Sequence, residues 1–257
     1  MKAVILAGGR GTRLSEETSV RPKPMVPVGD RPIIQHIMEH YAHFGITEFV
    51  VALGYMGDQI SDHLLELQRR SRLGLDEAGP DQWTLELVDT GLDTDTGGRV
   101  RRLAPYLGDQ TFMLTYGDGV ADVDLQRLLA FHVAHGRLAT VTAVHPPPRF
   151  GQLHLDGDQV VRFDEKPMNE SLINGGFFVL EPSVIDLIDG DDTAFQLDPL
   201  NRLVARGELM AYRHESFWQC MDTARDKEYL DALWESGEVP WQPWRADLSS
   251  RSGAPSR

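Results

Sequence analysis

The sequence predicts an α/β fold in which a mostly parallel, mixed sheet is flanked by helices and followed by a small β-hairpin portion. Three observations predict it. Short, nearly continuous apolar runs recur at residues 4–6, 49–53 and 112–116, and such runs suit strands buried on both faces. Segments with apolar residues at helical spacing follow the first two, so strand, helix, strand repeats as the crossover unit of a parallel sheet. After residues 139–144, the run Pro146-Pro147-Pro148 stiffens the chain before 152–155 and 159–163, which flank Asp156-Gly157-Asp158 in a hairpin pattern.

Val4, Ile5 and Leu6 form the first strand, and Gly8, Gly9 and Gly11 follow it directly. Ile33, Ile34, Ile37, Met38, Tyr41 and Phe44 then recur at helical spacing, with Gly45 where a helix ends. His36, His40 and His43 fall on the other side of that helix, which reads as a solvated face; the i, i+4 spacing also admits a metal pair. Residues 49–53 make the second strand, 58–70 an amphipathic helix, and 71–81 a polar loop or small excursion. Residues 83–88 alternate like a strand. Residues 89–99 then break pattern, and Gly97-Gly98-Arg99 runs into a helical pattern at 100–107. A helix N-terminus beside an arginine reads as an anion site.

The strand at 112–116 ends in Gly117-Asp118-Gly119. Flanking glycines leave the Asp118 carboxylate uncrowded at the carboxyl end of a strand, where open α/β sheets bind ligands, and a carboxylate suits Mg²⁺. A plain tight turn reads equally well from this tripeptide. Asp122 and Asp124 read as caps of a helix containing Leu125, Leu128 and Leu129. Beyond the hairpin come Glu165-Lys166-Pro167 and Asn174-Gly175-Gly176, helical patterns at 182–188 and 198–205, and a short strand at 209–213. Residues 217–223 are unpatterned and site-like, and Asp222-Thr223 reads as a helix cap. Trp234, Trp241 and Trp244 cluster near the end, a pattern that covers a core or a subunit contact more often than a ligand.

Composition narrows the function. With 39 acidic and 25 basic residues among 257, the formal charge is −14, which argues against nucleic acid or an anionic membrane as the main partner. Cys220 is the single cysteine, so no intramolecular disulfide or zinc–cysteine cluster forms. No basic-then-apolar leader and no apolar stretch of membrane-spanning length is present. A soluble cytoplasmic enzyme is the expectation.

The chemistry concentrates in the opening loop. Its backbone N–H groups offer partial positive charge, and Arg13 and Lys23 add full charges suited to a polyphosphate. Any first strand-to-helix turn can be glycine-rich, with such cations merely on the surface. However, Lys23 is braced between Pro22 and Pro24, which aims the side chain. Neither a Gly-Lys-Ser/Thr phosphate loop nor dinucleotide-fingerprint spacing is present.

Gly8-Gly9-Arg10-Gly11-Thr12-Arg13-Leu14 followed by Pro22-Lys23-Pro24 resembles the signature of the sugar-1-phosphate nucleotidyltransferases. Leu87-Val88-Asp89-Thr90-Gly91, Thr96-Gly97-Gly98-Arg99, Tyr116-Gly117-Asp118-Gly119-Val120-Ala121-Asp122, Ile173-Asn174-Gly175-Gly176-Phe177-Phe178-Val179, and Phe217-Trp218-Gln219 with Met221-Asp222-Thr223 extend the likeness over residues 1–244. These are similar to one branch, the glucose-1-phosphate cytidylyltransferases. Cys220 departs from the branch, which usually has proline there, and the 71–81 region is shorter than its counterpart.

The resemblance implies the Rossmann-like nucleotide-diphospho-sugar transferase fold and the Mg²⁺-dependent formation of CDP-glucose and pyrophosphate from CTP and glucose 1-phosphate. It implies catalytic roles for Arg13 and Lys23, and CTP contacts from Leu6, Ala7, Gly8, Gly9, Arg10, Gly11, Thr12, Arg13, Lys23, Thr94, Arg99 and Gly117. Tyr116, Lys166 and Asn174 would meet the sugar phosphate, and Asp118 and Asp222 the metal. It further implies one domain over 1–245, with 1–145 mainly for the nucleotide and 146–245 for the sugar phosphate and for assembly into a homo-oligomer, a hexamer by the family. Residues 246–257 have the composition of a disordered tail. UTP or dTTP in place of CTP, or a catalytically silent sugar-nucleotide-binding regulator, are the alternatives.

Overall fold

The computed structural model describes residues 1–73, 83–147, 150–165 and 171–244. Lys166 and residues 246–257 lie outside them, as does most of the 71–81 segment. A seven-stranded sheet forms the centre, in the spatial order Leu209–His214, Ala139–Val144, Ile173–Leu180, Phe112–Tyr116, Lys2–Leu6, Glu48–Leu53 and Thr84–Asp89. Ile173–Leu180 runs antiparallel to both neighbours, and every other pairing is parallel. The mostly parallel, mixed sheet is therefore as the sequence predicts.

Continuity of the apolar runs follows from burial on both sides. Ala3, Ile5, Phe49 and Val51 pack into one cluster with Ile33, Ile37, Met38 and Tyr41 of the helix Ile33–His43. Val4, Leu6, Val50 and Ala52 pack into a second with Val100, Leu103, Val184 and Leu203. Neither face of the central strands is left for water, so the period-2 alternation of a one-sided strand is lost. The strand Lys2–Leu6 lies between a partner that follows it in sequence, Glu48–Leu53, and one that returns from the far edge, Phe112–Tyr116. That reversal of strand order opens a crevice at the carboxyl ends of Lys2–Leu6 and Phe112–Tyr116.

The histidine reading is corrected. His36 and His40 are buried, and only His43 is exposed. The side of Ile33–His43 expected to face water is covered by the end of the chain: the His36 ring meets Trp234 and Trp241 edge-on, and His43 stacks on Trp244. His36 Nε2–H donates to Val28 O at 2.9 Å, and His40 Nε2–H to Val123 O at 2.9 Å. Burial pulls the His40 pKa down to about 4, so the ring is neutral and structural. The tryptophans accordingly cover core, as one of the two sequence readings expects.

One cap also differs, and another narrows to a single residue. Asp124 caps Leu125–His135 by accepting from Arg127 N, but Asp122 does not; it faces His214 and Ser216. Thr223, rather than Asp222, caps Ala224–Ser236 through a reciprocal box with Asp226. That leaves the Asp222 carboxylate available elsewhere. The hairpin Gln152–Asp156 with Gln159–Asp164 forms as predicted, and Leu153, Leu155, Val160, Val161 and Phe163 on it are exposed.

Candidate active site at the reversal of strand order

A cleft of about 700 Å³ opens at the carboxyl ends of Lys2–Leu6 and Phe112–Tyr116. Leu6, Ala7, Gly8, Gly9, Gly11, Thr12, Arg13, Lys23, Thr94, Arg99, Tyr116, Gly117, Asp118, Asn174 and Asp222 all line it. Arg10 does not; it is exposed and pairs with Asp93 at 3.1 Å. The opening loop begins where Ala7 N donates to Ala52 O at 3.0 Å and Gly117 N donates to Leu6 O at 3.1 Å, which ties both strand ends together. Gly11 takes φ +62°, the left-handed region, and turns the chain into the short helix Thr12–Leu14 that carries Arg13.

Lys23 occupies the floor of the cleft. Its neighbours Pro22 and Pro24 set a 3₁₀ turn, Lys23–Met25, that buries the lysine stem. The ammonium donates to Asp118 Oδ2 at 2.6 Å and to Asp222 Oδ1 at 2.6 Å, while Arg13 donates to Asp222 Oδ2 at 2.6 Å. Residues 13, 23, 118 and 222 thus meet from four separate parts of the chain. Burial alone would pull the Lys23 pKa down, but the Asp118 charge and hydrogen bonds to both carboxylates reverse this and hold it above its ordinary value. For Asp222, burial works upward and is outweighed by Lys23 and Arg13, so its pKa lies below the usual carboxylate range. The constellation is two cations interleaved with two anions.

Asp118 and Asp222 are brought together by a miniature ribbon in which Gly119–Ala121 pairs antiparallel with Trp218–Cys220. Trp218 and Cys220 face the cleft, and Gln219, between them, is buried with Nε2 donating to Asp226 Oδ1 at 3.2 Å. Cys220 Sγ lies 3.8 Å from Asp222 Oδ2, and burial with the nearby carboxylates pushes the thiol up to about 12, so it stays protonated. Opposite, Asn174 Oδ1 accepts from Gly176 N at 2.8 Å. Burial pushes Tyr116 up to about 12, against a hydrogen bond with Asn174.

Around Arg99 the structure corrects one reading and qualifies another. The N-terminal N–H groups of Thr96–Arg102 are already occupied: Thr96 N donates to Asp95 Oδ1 at 2.6 Å, and Gly97 N and Gly98 N to Thr193 O at 2.8 and 3.3 Å. That helix end is no anion site. The Arg99 guanidinium lines the cleft, but it donates to Leu53 O, Thr90 Oγ1 and Gly91 O at 3.1, 2.8 and 2.7 Å. Burial pulls its pKa below the ordinary value, against Asp95 and Asp89. Arg99 therefore braces the loop at 90–92 and packs on Gly8, where a Cβ would collide with the guanidinium.

Sequence reasoning missed Thr96 and Gln196 on the cleft wall. Thr96 Oγ1 donates to Gln196 Oε1 at 2.9 Å, and Phe195 N donates to Thr96 Oγ1 at 2.8 Å. The legible signal is the helical pair Gly97-Gly98, which marks close approach of another main chain. A Cβ on Gly98 would lie 2.8 Å from Asp191 C. Alanine in place of a helical glycine ordinarily stabilises by about 1 kcal/mol. Here the collision decides the sign: Gly98→Ala is expected to destabilise by about 1–3 kcal/mol, read as a lower Tm in thermal denaturation, and an unchanged or raised Tm contradicts the packing.

Comparisons with known proteins agree with this geometry. A family profile described as nucleotidyl transferase matches residues 2–236. The glucose-1-phosphate cytidylyltransferase of Salmonella typhi is 50% identical over 256 residues, covering 95% of this chain and 100% of that one. A probable glucose-1-phosphate cytidylyltransferase of Bacillus subtilis is 40% identical over 254 residues, covering 95% and 100%. The crystal structure of HddC from Yersinia pseudotuberculosis shares the fold at a TM-score of 0.71, with 24% identity over 91% of this chain and 99% of that one. A profile that spans nearly all of the sheet and reaches both ends of the Asp118–Asp222 ribbon leaves one assignment: the chain belongs to the nucleotidyl transferase family.

Proposed function

We infer that this protein transfers CMP from CTP to glucose 1-phosphate, giving CDP-glucose and pyrophosphate. The observation that carries the reading is the meeting of Arg13, Lys23, Asp118 and Asp222 beside the glycine loop, in a chain half identical to a glucose-1-phosphate cytidylyltransferase. A phosphate oxygen of glucose 1-phosphate forms a bond to the α-phosphorus of CTP. The bond from that phosphorus to the β-bridging oxygen breaks, and pyrophosphate leaves with the electron pair. A phosphate monoester is already an anionic nucleophile, so the protein supplies positioning and charge rather than a base.

Asp118 and Asp222 fit a divalent cation: both carboxylates converge on one point that already holds a positive charge, the Lys23 ammonium. Mg²⁺ takes one or two carboxylates together with substrate phosphates and, when bound, neutralises charge on the phosphate oxygens. Lys23, kept protonated by its two carboxylates, meets charge developing at the α-phosphorus. Arg13, whose side chain is 72% exposed, swings to hold the departing pyrophosphate. Gly9 has open space where a Cβ would stand, which lets the triphosphate approach the loop backbone closely. Asn174 and Tyr116 line the same cleft, and the family resemblance assigns them to the sugar phosphate. Lys166, which lies outside the described residues, is assigned to the same substrate by the family resemblance alone.

The reading extends to one domain over 1–245, to action in the cytoplasm and to a homo-oligomer, a hexamer by the same resemblance. The exposed apolar residues of the Gln152–Asp164 hairpin support contact with a second copy. No helix among the described residues is long and apolar enough to cross a membrane. Incubation of the purified chain with CTP, glucose 1-phosphate and Mg²⁺ is expected to yield CDP-glucose and pyrophosphate in equal amounts, measured by chromatography and a coupled pyrophosphate assay. Nucleotide binding without either product contradicts the reading and favours a regulator.

A further inference from the structure

We propose that His214 and Asp122 are positioning residues which, with Ser216, clasp the end of the short ribbon that carries Asp118 and Asp222 and so fix the spacing of these two carboxylates. The proposal rests on the reading of Asp118 and Asp222 as the metal-holding pair. Little main chain sets the separation of the two carboxylates. Asp118 immediately precedes Gly119–Ala121, and Asp222 follows Trp218–Cys220 after one residue. Trp218 lies opposite Ala121 and Cys220 opposite Gly119, and Met221 N donates to Asp118 O at 2.8 Å.

A two-stranded ribbon of three residues a side is marginal by itself. A slip of one residue would shift one strand by about 3.3 Å along the other and turn its side chains to the opposite face. Asp222 would then lose Lys23 and Asp118 together. At the carboxylate end, slipping is opposed by Asp226, whose Oδ2 accepts from Asp222 N at 3.2 Å and Thr223 N at 2.9 Å. The other end has no such cap from the helix, and there the clasp sits.

Asp122 N donates to Phe217 O at 3.2 Å, extending the ribbon by one residue pair. Asp122 Oδ1 lies 3.0 Å from His214 Nε2 and accepts from Ser216 Oγ at 2.8 Å. His214 Nε2–H is shared with Phe217 O at 3.0 Å. One imidazole N–H thus grips both strands, the carboxylate after one and the carbonyl before the other. His214 is buried, 8% exposed, so water competes little. It also ends the strand Leu209–His214, where it pairs with Val144 of the main sheet. The clasp therefore anchors the ribbon to the rigid part of the fold. Burial opposes charge on both partners, yet Asp122 is held below its usual range by His214 and Ser216, and His214 above its own by Asp122 and Phe217. Neither His214 nor Asp122 lines the cleft, so they act through the ribbon.

The test is binding of Mn²⁺ to the full chain in the presence of CTP, read from the paramagnetic signal of free Mn²⁺, alongside Tm and the Mg²⁺ concentration giving half-maximal pyrophosphate release. His214→Leu is expected to weaken Mn²⁺ binding about ten-fold, as loss of a group that orients metal ligands does, and to raise the half-maximal Mg²⁺ concentration in step. His214→Gln places an amide N–H near the same point and is expected to stay within about three-fold of the parent. A role in folding alone would lower Tm in His214→Leu and leave the Mn²⁺ affinity of the folded protein unchanged. Asp122→Ser removes the carboxylate and shortens the side chain at a partly exposed position, and it carries the test if His214→Leu does not fold, with about the same ten-fold loss expected. A folded His214→Leu or Asp122→Ser that binds Mn²⁺ within about two-fold of the parent overturns the clasp. A parent chain that binds no Mn²⁺ overturns the metal role of Asp118 and Asp222, and the clasp with it.

Discussion

Lys23→Ala is expected to lose on the order of 10²–10³ in kcat, the effect of removing one preorganised transition-state donor. Three observations make Lys23 the residue of largest effect. Its side chain is 8% exposed, so its charge acts in a poorly screened environment. Its ammonium lies between two carboxylates at 2.6 Å each, at the floor of the cleft that the glycine loop borders. It is held in the charged form, because Asp118 and Asp222 outweigh the burial that would discharge it. Circular dichroism would establish that the variant folds, and steady-state rates at saturating CTP and glucose 1-phosphate would give kcat. Near-normal turnover would contradict the role. Lys23→Arg is expected to rescue little of the rate, since a longer planar fork places its charge differently from a compact ammonium at this buried point.

Asp222→Asn is expected to lower kcat/KM by roughly 10³, an amount of several kcal/mol appropriate to disturbing a metal-assisted phosphoryl transfer. The carboxylate has three duties at once. It accepts from Lys23 on one oxygen and from Arg13 on the other, and it is one of the two carboxylates proposed to hold Mg²⁺. An amide is isosteric but neutral, so the backbone placement by Asp226 survives while the charge is lost. The measurement that separates Asp222→Asn from Lys23→Ala is the Mg²⁺ titration. Raising Mg²⁺ should recover part of the Asp222→Asn loss and none of the Lys23→Ala loss. An Asp222→Asn protein with unchanged half-maximal Mg²⁺ would remove Asp222 from the metal.

What the sequence made legible was whatever is encoded locally. The buried strand before Gly8-Gly9, the two prolines around Lys23 and the glycines around Asp118 each declare their geometry within a few residues, and the structure brings all three to one cleft. Asp222 was legible only through resemblance, because its partnership with Asp118 is made by strands a hundred residues apart that pair over three positions. Burial of His36 and His40 was hidden for the same reason: what covers that side of their helix is Trp234, Trp241 and Trp244 at the other end of the chain. At Arg99 a charge beside glycines suggests an anion, yet backbone carbonyls of a tight loop need donors as much as a ligand does, and here they take them.

The resemblance to enzymes that differ mainly in the nucleotide makes base choice the sharpest part of the account. The most direct measurement is pyrophosphate release from glucose 1-phosphate with CTP, UTP, dTTP, ATP and GTP in turn, as kcat/KM at one Mg²⁺ concentration. CTP is expected to exceed every other nucleotide by at least about ten-fold, the discrimination that one well-placed hydrogen-bonding difference supplies. Equal values with CTP and UTP, or a higher value with any other nucleotide, would contradict it.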